Sequence, residues 1–498
     1  MLKNILANCS NIIFSIMAVF VLYPFCIKTL GDEQYSVWLL ISSAIGYFYL
    51  LQLGVPPANV RFISQYHAQQ DYDKTNSVIS TNILIFSIIA FIILVLGTGL
   101  AFVLEKVFKI RNELINMTRI ATIIATIDVS SKFLFEVFED IFHAMQNFVV
   151  FNFIKNVVVV IRVLAIILLL RYHNGIVILA SILLLVTSIQ SLCFCVYIHV
   201  KYKFLKIRIK YITTVIVTEI MGYSIYMLLF NVASRISFET DALVIGSVVS
   251  VSAITWFNIA SNLLIYLMQM VAGISNAIMP KISELDAIGL VNNIRNSYSN
   301  YSRQMMLFLL PICLSFWLYG GDFISLWVGE QYREVSGTTL SILTLGYLLF
   351  LVQSGVAFPI LMGTSRMKLP TLFMCSGGLA NLGLSIFWGR TYGIYGVAWG
   401  TTLPTIVFTG LVVVYMCRTL SIPFHQYCYN SLLYPALAAI PYLIVYLCLF
   451  QLVRIDSYLK LFLCFTTCAI SYCLGIYYWF LSNEHKTILF SFILRKSV

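Results

Sequence analysis

Long apolar segments separated by short polar stretches follow one another along almost the whole chain. Fourteen of these segments are long enough to cross a bilayer as helices. They lie near residues 5–25, 36–56, 78–103, 118–140, 148–170, 176–200, 213–238, 243–278, 304–326, 338–362, 369–389, 394–417, 431–453 and 459–481. The pattern therefore predicts an all-α polytopic membrane protein with about 14 transmembrane helices.

The composition agrees with this prediction. Of the 498 residues, 60% are hydrophobic and 10% are charged, whereas about a quarter of the residues of a typical soluble domain are charged. The first segment has no Ala-x-Ala-like cleavage site, so we expect a retained span rather than a removed signal peptide. The 12 Cys and six His residues show no spacing that suits a metal ion, and we predict no metal site.

The basic run KYKFLKIRIK, residues 201–210, divides the predicted spans into six before it and eight after it. We therefore predict an N-terminal lobe at 1–210 (spans 1–6), a C-terminal lobe at 211–420 (spans 7–12), and at 421–498 the appended spans 13–14 with a cytoplasmic tail. Transporters built from repeated halves bind substrate between the halves, so the two six-helix lobes are expected to surround a central cavity. The basic run itself fits either a positive-inside anchor near anionic lipid or a specific binding site.

The distribution of Lys and Arg among the loops predicts the orientation of the chain. An even number of spans places both termini on one side of the membrane. With the termini inside, the inner loops hold 17 of the 31 Lys and Arg residues and the outer loops hold 10. This bias favours cytoplasmic termini, and the net charge of +11 reflects topology rather than a domain that binds nucleic acid. The longest connections are predicted to be roughly 20 residues, at 61–77 and 281–303.

Two neighbouring spans, 118–140 and 148–170, carry charged residues in regular patterns. Asp128, Lys132 and Glu136 are spaced i, i+4, i+8 and form one stripe. Lys155 and Arg162 are seven residues apart and also share a helix face. A charge near the bilayer centre costs at least about 2.5–3.5 kcal/mol on insertion scales, so these groups are expected to face partners or a water-filled cavity.

These charged stripes allow two interpretations. They form either a neutralising ion-pair network that holds the helices together or a site for an anionic substrate inside the membrane. Three cations against two anions make the cavity wall net positive, which is the basis of the second interpretation. Asp128 and Glu136 are ion-pair partners or sites for a proton or a sodium ion that couples transport to a gradient.

Several stretches resemble the bacterial polysaccharide flippases. In that family a Leu-Gly-x-x-x-Tyr-Gly-x-Trp-like turn precedes the second span. Here Leu30, Gly31, Tyr35 and Trp38 match the turn, and Ser36 stands where the family usually has Gly. Further matching stretches are SFETDALVIGSVVSVSAITWFNIASNLL, IMPKISEL and YGIYGVAWGTTLP. The chain is thus similar to the oligosaccharide flippase branch of the multidrug/oligosaccharidyl-lipid/polysaccharide exporter superfamily, and most similar to its O-antigen type.

This resemblance implies a carrier in the bacterial inner membrane. It would move an undecaprenyl-pyrophosphate-linked oligosaccharide from the cytoplasmic to the outer leaflet by alternating access, with the polysaccharide polymerase machinery as a candidate partner. Lys and Arg in a water-filled cleft can replace the hydration of a pyrophosphate. The residues expected to bind the substrate are Arg61, Lys132, Lys155, Arg162 and Arg235.

Two of these cations have a simpler explanation as well. Arg61 follows Pro56 and Pro57 at the inner end of the second span, where the family segment carries its basic residue, and it also fits a positive-inside anchor. Arg235 has Glu239 four residues further on, so a local ion pair explains it as well as a phosphate contact does.

Rival functions come from other classes of protein. The sequence Asp71-Tyr72-Asp73 is a D-x-D of the kind that holds a metal and a nucleotide sugar in glycosyltransferases. It has no surrounding domain, and an O-antigen polymerase would have a large outer loop, so we predict that the protein is not an enzyme. A drug or cation exporter of the same superfamily would need an acidic cavity. A lipid II flippase is a nearer alternative.

Overall fold

The computed structural model describes residues 2–52, 55–108, 110–172, 175–213, 216, 240–364 and 366–479. Within these residues the chain is helical and contains no β-strand. In the first half the long helices are α1 (Leu2–Gly46), α2 (Val55–Ala68), α3 (Tyr72–Val107), α4 (Asn112–Ala144), α5 (Phe148–Tyr172) and α6 (Ile176–Lys201). Short 3₁₀ turns lie at Tyr47–Gln52 and Ile209–Tyr211.

The second half continues with further helices. They are α7 (Asp241–Val248), α8 (Ala253–Ala287), α9 (Val291–Trp327), α10 (Arg333–Gly363), α11 (Lys368–Thr419), α12 (Ala439–Leu452) and α13 (Tyr458–Trp479). A 3₁₀ turn at Glu330–Tyr332 precedes α10. Between α11 and α12 the chain forms a helical connector, made of short helices at Phe424–Tyr427 and Tyr434–Ala436 on either side of a π-helical turn at Cys428–Leu433.

Two of the long helices are each interrupted by a glycine with a left-handed backbone. Gly31 in α1 has a φ of 75°, and Gly393 in α11 has a φ of 60°. Residues with a Cβ rarely adopt φ values in this range, whereas glycine adopts them readily. Each interruption separates two helices, so α1 and α11 each supply two of the predicted spans.

The number of spans follows from these interruptions. Ten helical segments among the described residues are long and apolar enough to cross a membrane. Two of them contain the breaks at Gly31 and Gly393, so the ten segments hold twelve helices. Helix α4 is a thirteenth, although it carries seven Asp, Glu, Lys and Arg residues. The span expected at 213–238 lies almost entirely outside the described residues. The prediction of an all-α polytopic membrane protein is confirmed.

The structure corrects the predicted long connections. Only residues 69–71 separate α2 from α3, and only residues 288–290 separate α8 from α9. Hydropathy identifies the part of a helix that lies in lipid, so it missed the polar turns by which these helices continue into water. Arg61 therefore lies within α2 rather than in a loop.

The chain divides into two compact units. The first comprises residues 1–258 and 382–397, and the second comprises residues 259–381 and 398–498. In the first unit, α4 packs against α3 and α6, and α1 packs against α5. In the second, α9 packs against α10, and α12 packs against α13. The boundaries at 210 and 420 that the sequence suggested stay a prediction.

Ser36 links two of the stretches that carry the family resemblance. Its side chain is fully buried, and its hydroxyl donates to the backbone oxygen of Ser252 at 3.1 Å. The same oxygen accepts the backbone N–H of Thr255 at 3.2 Å and lies 2.7 Å from the Thr255 hydroxyl. A glycine at position 36 would make none of these contacts, so the serine fastens α1 to the start of α8.

A buried polar network holds the helical connector in the second unit. The Tyr298 hydroxyl donates to Oε1 of Gln353 at 3.0 Å, and Nε2 of Gln353 donates to the Tyr427 hydroxyl at 3.0 Å. The Tyr427 hydroxyl in turn donates to Oγ of Ser302 at 2.9 Å. The rings of Tyr298 and Tyr427 stack with centroids 4.7 Å apart. The hydroxyls of Tyr298 and Tyr427 and the amide of Gln353 thus each donate to a partner within the network, as buried polar groups require.

Candidate functional site

Helix α4 carries the charged residues around which the candidate site is built. It packs against α1, α2, α3 and α6, so its faces lie mostly against protein. Asp128, Lys132, Glu136 and Asp140 follow one another at intervals of four residues and lie on one side of the helix. The predicted stripe therefore continues one turn further than the sequence analysis took it, to the buried carboxyl of Asp140.

Asp128 and Lys132 form an ion pair within α4. Nζ of Lys132 lies 2.7 Å from Oδ2 of Asp128, one helical turn away. The second carboxylate oxygen of Asp128, Oδ1, is buried and has no hydrogen-bond partner among the described residues. The side chain of Lys132 is 35% exposed. The pair thus uses only part of the hydrogen-bonding capacity of each group.

Arg162 of α5 is the third cation of this site. It interacts electrostatically with Asp128 and Lys132 of α4, but it makes no ion pair within 4 Å in the described part of the chain. Its Nε is buried and lacks a hydrogen-bond partner there. A buried donor left unpaired costs about 1–3 kcal/mol, and more when it is charged. Arg162 therefore keeps a charged donor unused in this conformation, which an anionic ligand that reached the side chain would satisfy.

Lys155 has a different partner from those that the sequence suggested. Its Nζ lies 3.6 Å from Oε2 of Glu139 and 4.6 Å above the ring of Phe151. Glu139 also accepts a hydrogen bond from Nε2 of Gln190 on α6 at 3.3 Å. Sequence analysis missed Glu139 because it lies outside the stripe of every fourth residue. The pair is long and about one-third exposed, so it is weaker than the Lys132 pair.

Glu136 lies between these two pairs. It is half-buried and makes no ion pair within 4 Å among the residues that the structure describes. It interacts electrostatically with Lys132 and Lys155, so it connects the two halves of the charged network. The structure thus brings together five of the predicted residues, namely Asp128, Lys132, Glu136, Lys155 and Arg162.

Asp140 and Asn59 form a buried pair that sequence analysis missed. Nδ2 of Asn59, on α2, donates to Oδ2 of Asp140 at 2.7 Å. Asn59 is fully buried and Asp140 is 4% exposed. The oxygen of the same amide, Oδ1 of Asn59, is buried and accepts no hydrogen bond from the described residues. Only a protonated carboxyl at Asp140 would offer the amide a donor as well as an acceptor.

Two predicted cations remain, Arg61 and Arg235. Arg61 is exposed on α2, with its guanidinium carbon 5.7 Å from the centre of the Phe62 ring. It lies two residues after Asn59 on α2, the helix whose Asn59 side chain donates a hydrogen bond to Asp140. Arg235 and Glu239 lie outside the described residues, and their proposed roles stay predictions.

The D-x-D sequence starts a helix. Asp71 is the N-cap of α3, and its carboxylate accepts the backbone N–H of Lys74 at 3.0 Å. This hydrogen bond holds the pKa of Asp71 below its ordinary value, with a further contribution from the Lys74 ammonium at 3.2 Å. Asp73 lies in the first turn of the same helix, where the helix dipole favours an acid. Capping thus accounts for both carboxylates without a metal ion.

Comparison with known sequences gives a family and two similar curated proteins. A family model described as polysaccharide biosynthesis protein matches residues 1–286. A putative O-antigen transporter of Shigella flexneri is 21% identical over 379 residues, which cover 75% of this chain and 87% of that protein. The uncharacterized membrane protein EpsK of Bacillus subtilis (strain 168) is 21% identical over 483 residues, covering 95% and 94% of the two chains.

Comparison with solved structures gives membrane transporters of similar fold. The lipid II flippase MurJ in an inward closed conformation aligns with a TM-score of 0.75 and 15% identity, over 95% of this chain and 98% of that one. An inward-facing multidrug resistance MATE family transporter of the MOP superfamily aligns with a TM-score of 0.72 and 12% identity, over 81% and 94%. At these identities the likeness concerns the fold.

Proposed function

The chain belongs to the polysaccharide biosynthesis protein family, and from this premise we propose that it moves a polyprenyl-pyrophosphate-linked oligosaccharide across the membrane. The protein is a multi-pass membrane transporter of the flippase type rather than an enzyme. The proposed substrate carries an O-antigen-type repeat unit. Its transport runs by alternating access from the cytoplasmic to the outer leaflet of the bacterial inner membrane, and both termini lie in the cytoplasm.

The unpaired Nε of Arg162 is the observation that carries this proposal. It lies in a network in which Lys132, Lys155 and Arg162 face the acids Asp128, Glu136 and Glu139, so Glu139 removes the net positive charge that the sequence predicted there. A pyrophosphate has several anionic oxygens, so it can accept hydrogen bonds from Arg162, Lys132 and Lys155 at once. A neutral drug would leave the charges of these donors uncompensated, and a cationic drug would be repelled by them.

Polar side chains next to the network suit the sugar part of the substrate. Asn156 adjoins Lys155 on α5, and its Oδ1 accepts a hydrogen bond from Asn11 of α1 at 2.8 Å. Nδ2 of Asn156 donates to Oγ of Ser10 at 3.2 Å. Amides and hydroxyls of this kind exchange hydrogen bonds readily with sugar hydroxyls. Arg61 and Arg235 would meet the pyrophosphate as it enters and leaves.

Coupling to a gradient of H⁺ or Na⁺ is the second part of the proposal. Asp128 and Glu136 are candidates because each faces cations that the substrate would also bind. Asp140 is a third candidate, since a proton on its carboxyl would supply the donor that Oδ1 of Asn59 lacks. Loss of that proton would leave a buried carboxylate with a single hydrogen-bond donor, which is unfavourable.

Transport of labelled lipid in vesicles tests the proposal. The purified protein is reconstituted with a polyprenyl-pyrophosphate oligosaccharide, and the fraction that becomes accessible to an external sugar-oxidising reagent is followed over time. We expect wild-type protein to expose the substrate much faster than protein-free vesicles. Equal activity with lipid II, or with a cationic drug in place of the oligosaccharide lipid, would favour the lipid II flippase or the exporter instead.

Cells provide an independent measurement. Removal of the protein is expected to leave the lipid-linked oligosaccharide on the cytoplasmic leaflet, where its composition identifies the sugar. If the oligosaccharide lipid reached the outer leaflet normally in such cells, another protein would have to perform the transport, and the proposal would fail.

A further inference from the structure

The segment that follows α6 is extended and basic. We call residues 202–213 the basic strap. It contains Lys203, Lys206, Arg208 and Lys210, and apart from the single 3₁₀ turn at Ile209–Tyr211 it has no regular helix. An irregular segment of this kind is ordered only if other groups satisfy its backbone.

The side chains of α3 supply the hydrogen bonds that hold the basic strap. Asn76 forms two of them, donating to the backbone oxygen of Phe204 at 3.2 Å and accepting the N–H of Lys206 at 2.8 Å. Ser80 accepts the N–H of Arg208 at 3.3 Å, and Ser77 donates to the backbone oxygen of Tyr211. The strap thus follows α3 for more than one helical turn.

These α3 side chains are buried by the basic strap. Asn76, Ser77 and Ser80 are all less than 9% exposed. Polar residues in the first turns of a transmembrane helix are unfavourable unless they are hydrogen-bonded. These side chains instead fix the backbone of the strap, and so they hold its cations at a defined position beside α3.

Residues 206–210 of the basic strap are exposed, whereas the ring of Phe204 stacks on that of His67 with centroids 5.3 Å apart. Ile209 is 87% exposed and Ile207 is 52% exposed, and the cations between and beside them are exposed too. None of the four cations makes an ion pair within 4 Å in the described part of the chain. Lys206, Ile207 and Arg208 lie in the extended part of the strap, so Ile207 points to one side and the two cations to the other, while Ile209 and Lys210 lie in the 3₁₀ turn.

We propose that the basic strap is a binding surface for the phosphate groups of anionic phospholipids. The strap starts where α6 ends and runs beside residues 76–80, where the apolar segment of α3 begins, so it lies at the level where headgroups meet acyl chains. There Ile207 and Ile209 enter the apolar edge of the bilayer, and the three cations reach lipid phosphates. This inference does not depend on which substrate the protein transports.

Lipid-dependent stability of the full-length protein tests this proposal. The protein in a neutral detergent is titrated with phosphatidylglycerol or with phosphatidylcholine, and the melting temperature is followed. We expect phosphatidylglycerol to raise the melting temperature and phosphatidylcholine to leave it nearly unchanged. The triple variant Lys206→Gln, Arg208→Gln, Lys210→Gln should need at least tenfold more phosphatidylglycerol for the same rise.

Two further variants separate fixed geometry from charge. Asn76→Ala with Ser80→Ala keeps every cation but releases the backbone of the basic strap, and it should also weaken the lipid effect severalfold. The control Lys106→Gln, Arg171→Gln, Arg390→Gln removes three exposed cations elsewhere and should respond as wild type does. A control as weak as the strap variant would overturn the proposal, since net charge alone would then explain the effect.

The remaining outcomes also decide the matter. Should the Asn76 and Ser80 variant fold poorly, Ile207→Ser with Ile209→Ser tests the apolar side with the hydrogen bonds intact, and it should bind phosphatidylglycerol more weakly than wild type. If both the Asn76 and Ser80 variant and the Ile207 and Ile209 variant responded to phosphatidylglycerol as wild type does, neither the fixed backbone nor the isoleucines would contribute to binding, and the proposal would be overturned. Inorganic pyrophosphate at about 1 mM is a further comparison. If it raised the melting temperature as much as phosphatidylglycerol does, phosphate charge alone would explain the effect, and the lipid assignment would be overturned.

Discussion

Nζ of Lys155 lies 3.6 Å from Oε2 of Glu139, whereas Nζ of Lys132 lies 2.7 Å from its partner Asp128. The longer pair lacks a direct hydrogen bond and is about one-third exposed. Exchange of Glu139 for a phosphate oxygen would therefore cost Lys155 little. The shorter pair is held within one helix and gives Lys132 a fixed position. The two lysines thus differ in how readily they can change partners.

Substitution of the least-paired cations should stop transport without preventing folding. We expect Lys155→Ala and Arg162→Ala each to lower the transport rate at least tenfold, since a hydrogen bond to a charged group contributes about 1.5–3 kcal/mol. Vesicle assays with matched protein amounts measure the rate. Arg171→Ala, at the exposed end of the same helix α5, is the control and should keep normal transport. Normal transport by both Lys155→Ala and Arg162→Ala would leave these residues with a purely structural role.

Asp140→Asn tests the buried acid–amide pair. The variant keeps the shape of the side chain but cannot exchange a proton, so transport should no longer respond to an imposed pH gradient. Asp456→Asn, which removes an exposed acid paired with Lys460, is the control and should respond as wild type does. Rates are compared with and without the gradient. A response to a Na⁺ gradient alone would identify sodium as the coupling ion, and an unchanged pH response in Asp140→Asn would exclude Asp140.

The two acids of the D-x-D sequence should behave differently from each other but should both be dispensable for transport. Asp73→Asn is expected to leave transport intact, because the residue only favours the start of α3. Asp71→Ala removes the cap and should lower the melting temperature modestly at neutral pH. Loss of transport in Asp73→Asn would revive the enzyme interpretation.

The pH dependence of this cap has a defined sign. The backbone N–H of Lys74 lowers the pKa of Asp71 in the folded protein, so the cap stabilises fully above the ordinary value of 3.8. Its contribution is lost as the pH falls through the lowered pKa. The difference in melting temperature between wild type and Asp71→Ala should therefore shrink below about pH 4. A difference that grew with acidity would contradict the assignment.

Gly31→Ala should destabilise the protein through its backbone alone. A Cβ at this position would meet no atom within 4 Å, but the φ of 75° is unfavourable for alanine by roughly 1–2 kcal/mol. Gly99→Ala in α3 is the matched control, since a Cβ there also meets nothing within 4 Å and the backbone is helical. Thermal unfolding in detergent should separate the two variants. Equal melting temperatures would mean that α1 can straighten at Gly31.

The polar network in the second unit gives a fifth prediction. Tyr427→Phe leaves Nε2 of Gln353 without its acceptor and should lower the unfolding free energy by about 1–3 kcal/mol. Tyr429→Phe, two residues away on the exposed side of the helical connector, should be neutral. The free energies are obtained from denaturant titrations in mixed micelles. A neutral Tyr427→Phe would imply that water or another group replaces the hydroxyl.

Local patterns were sufficient to predict the helices and the first part of the charged stripe. The ion pair of Asp128 and Lys132 follows from a spacing of four residues, and that spacing also reaches Asp140. The partner of Asp140 could not be predicted, because Asn59 is 81 residues away and only tertiary packing joins them. The same applies to Glu139, whose contact with Lys155 depends on how α4 and α5 are rotated.

The basic strap illustrates the same division between local and distant information. The run of cations is evident in the sequence, where it fits either an anchor near anionic lipid or a specific binding site. The role of Asn76 and Ser80 is not evident, because their hydrogen bonds go to backbone atoms almost 130 residues away. Backbone partners leave no trace in the identity of the residues that provide them.

The bond between Gln353 and Tyr427 has a consequence for biosynthesis. A ribosome completes α9 and α10 well before it reaches residue 427, so the amide of Gln353 enters the lipid phase without its acceptor. A nascent chain that stalls at this stage keeps an unsatisfied polar group within the membrane. Synthesis of the helical connector supplies the missing acceptor, so the polar network of the second unit is complete only late in translation.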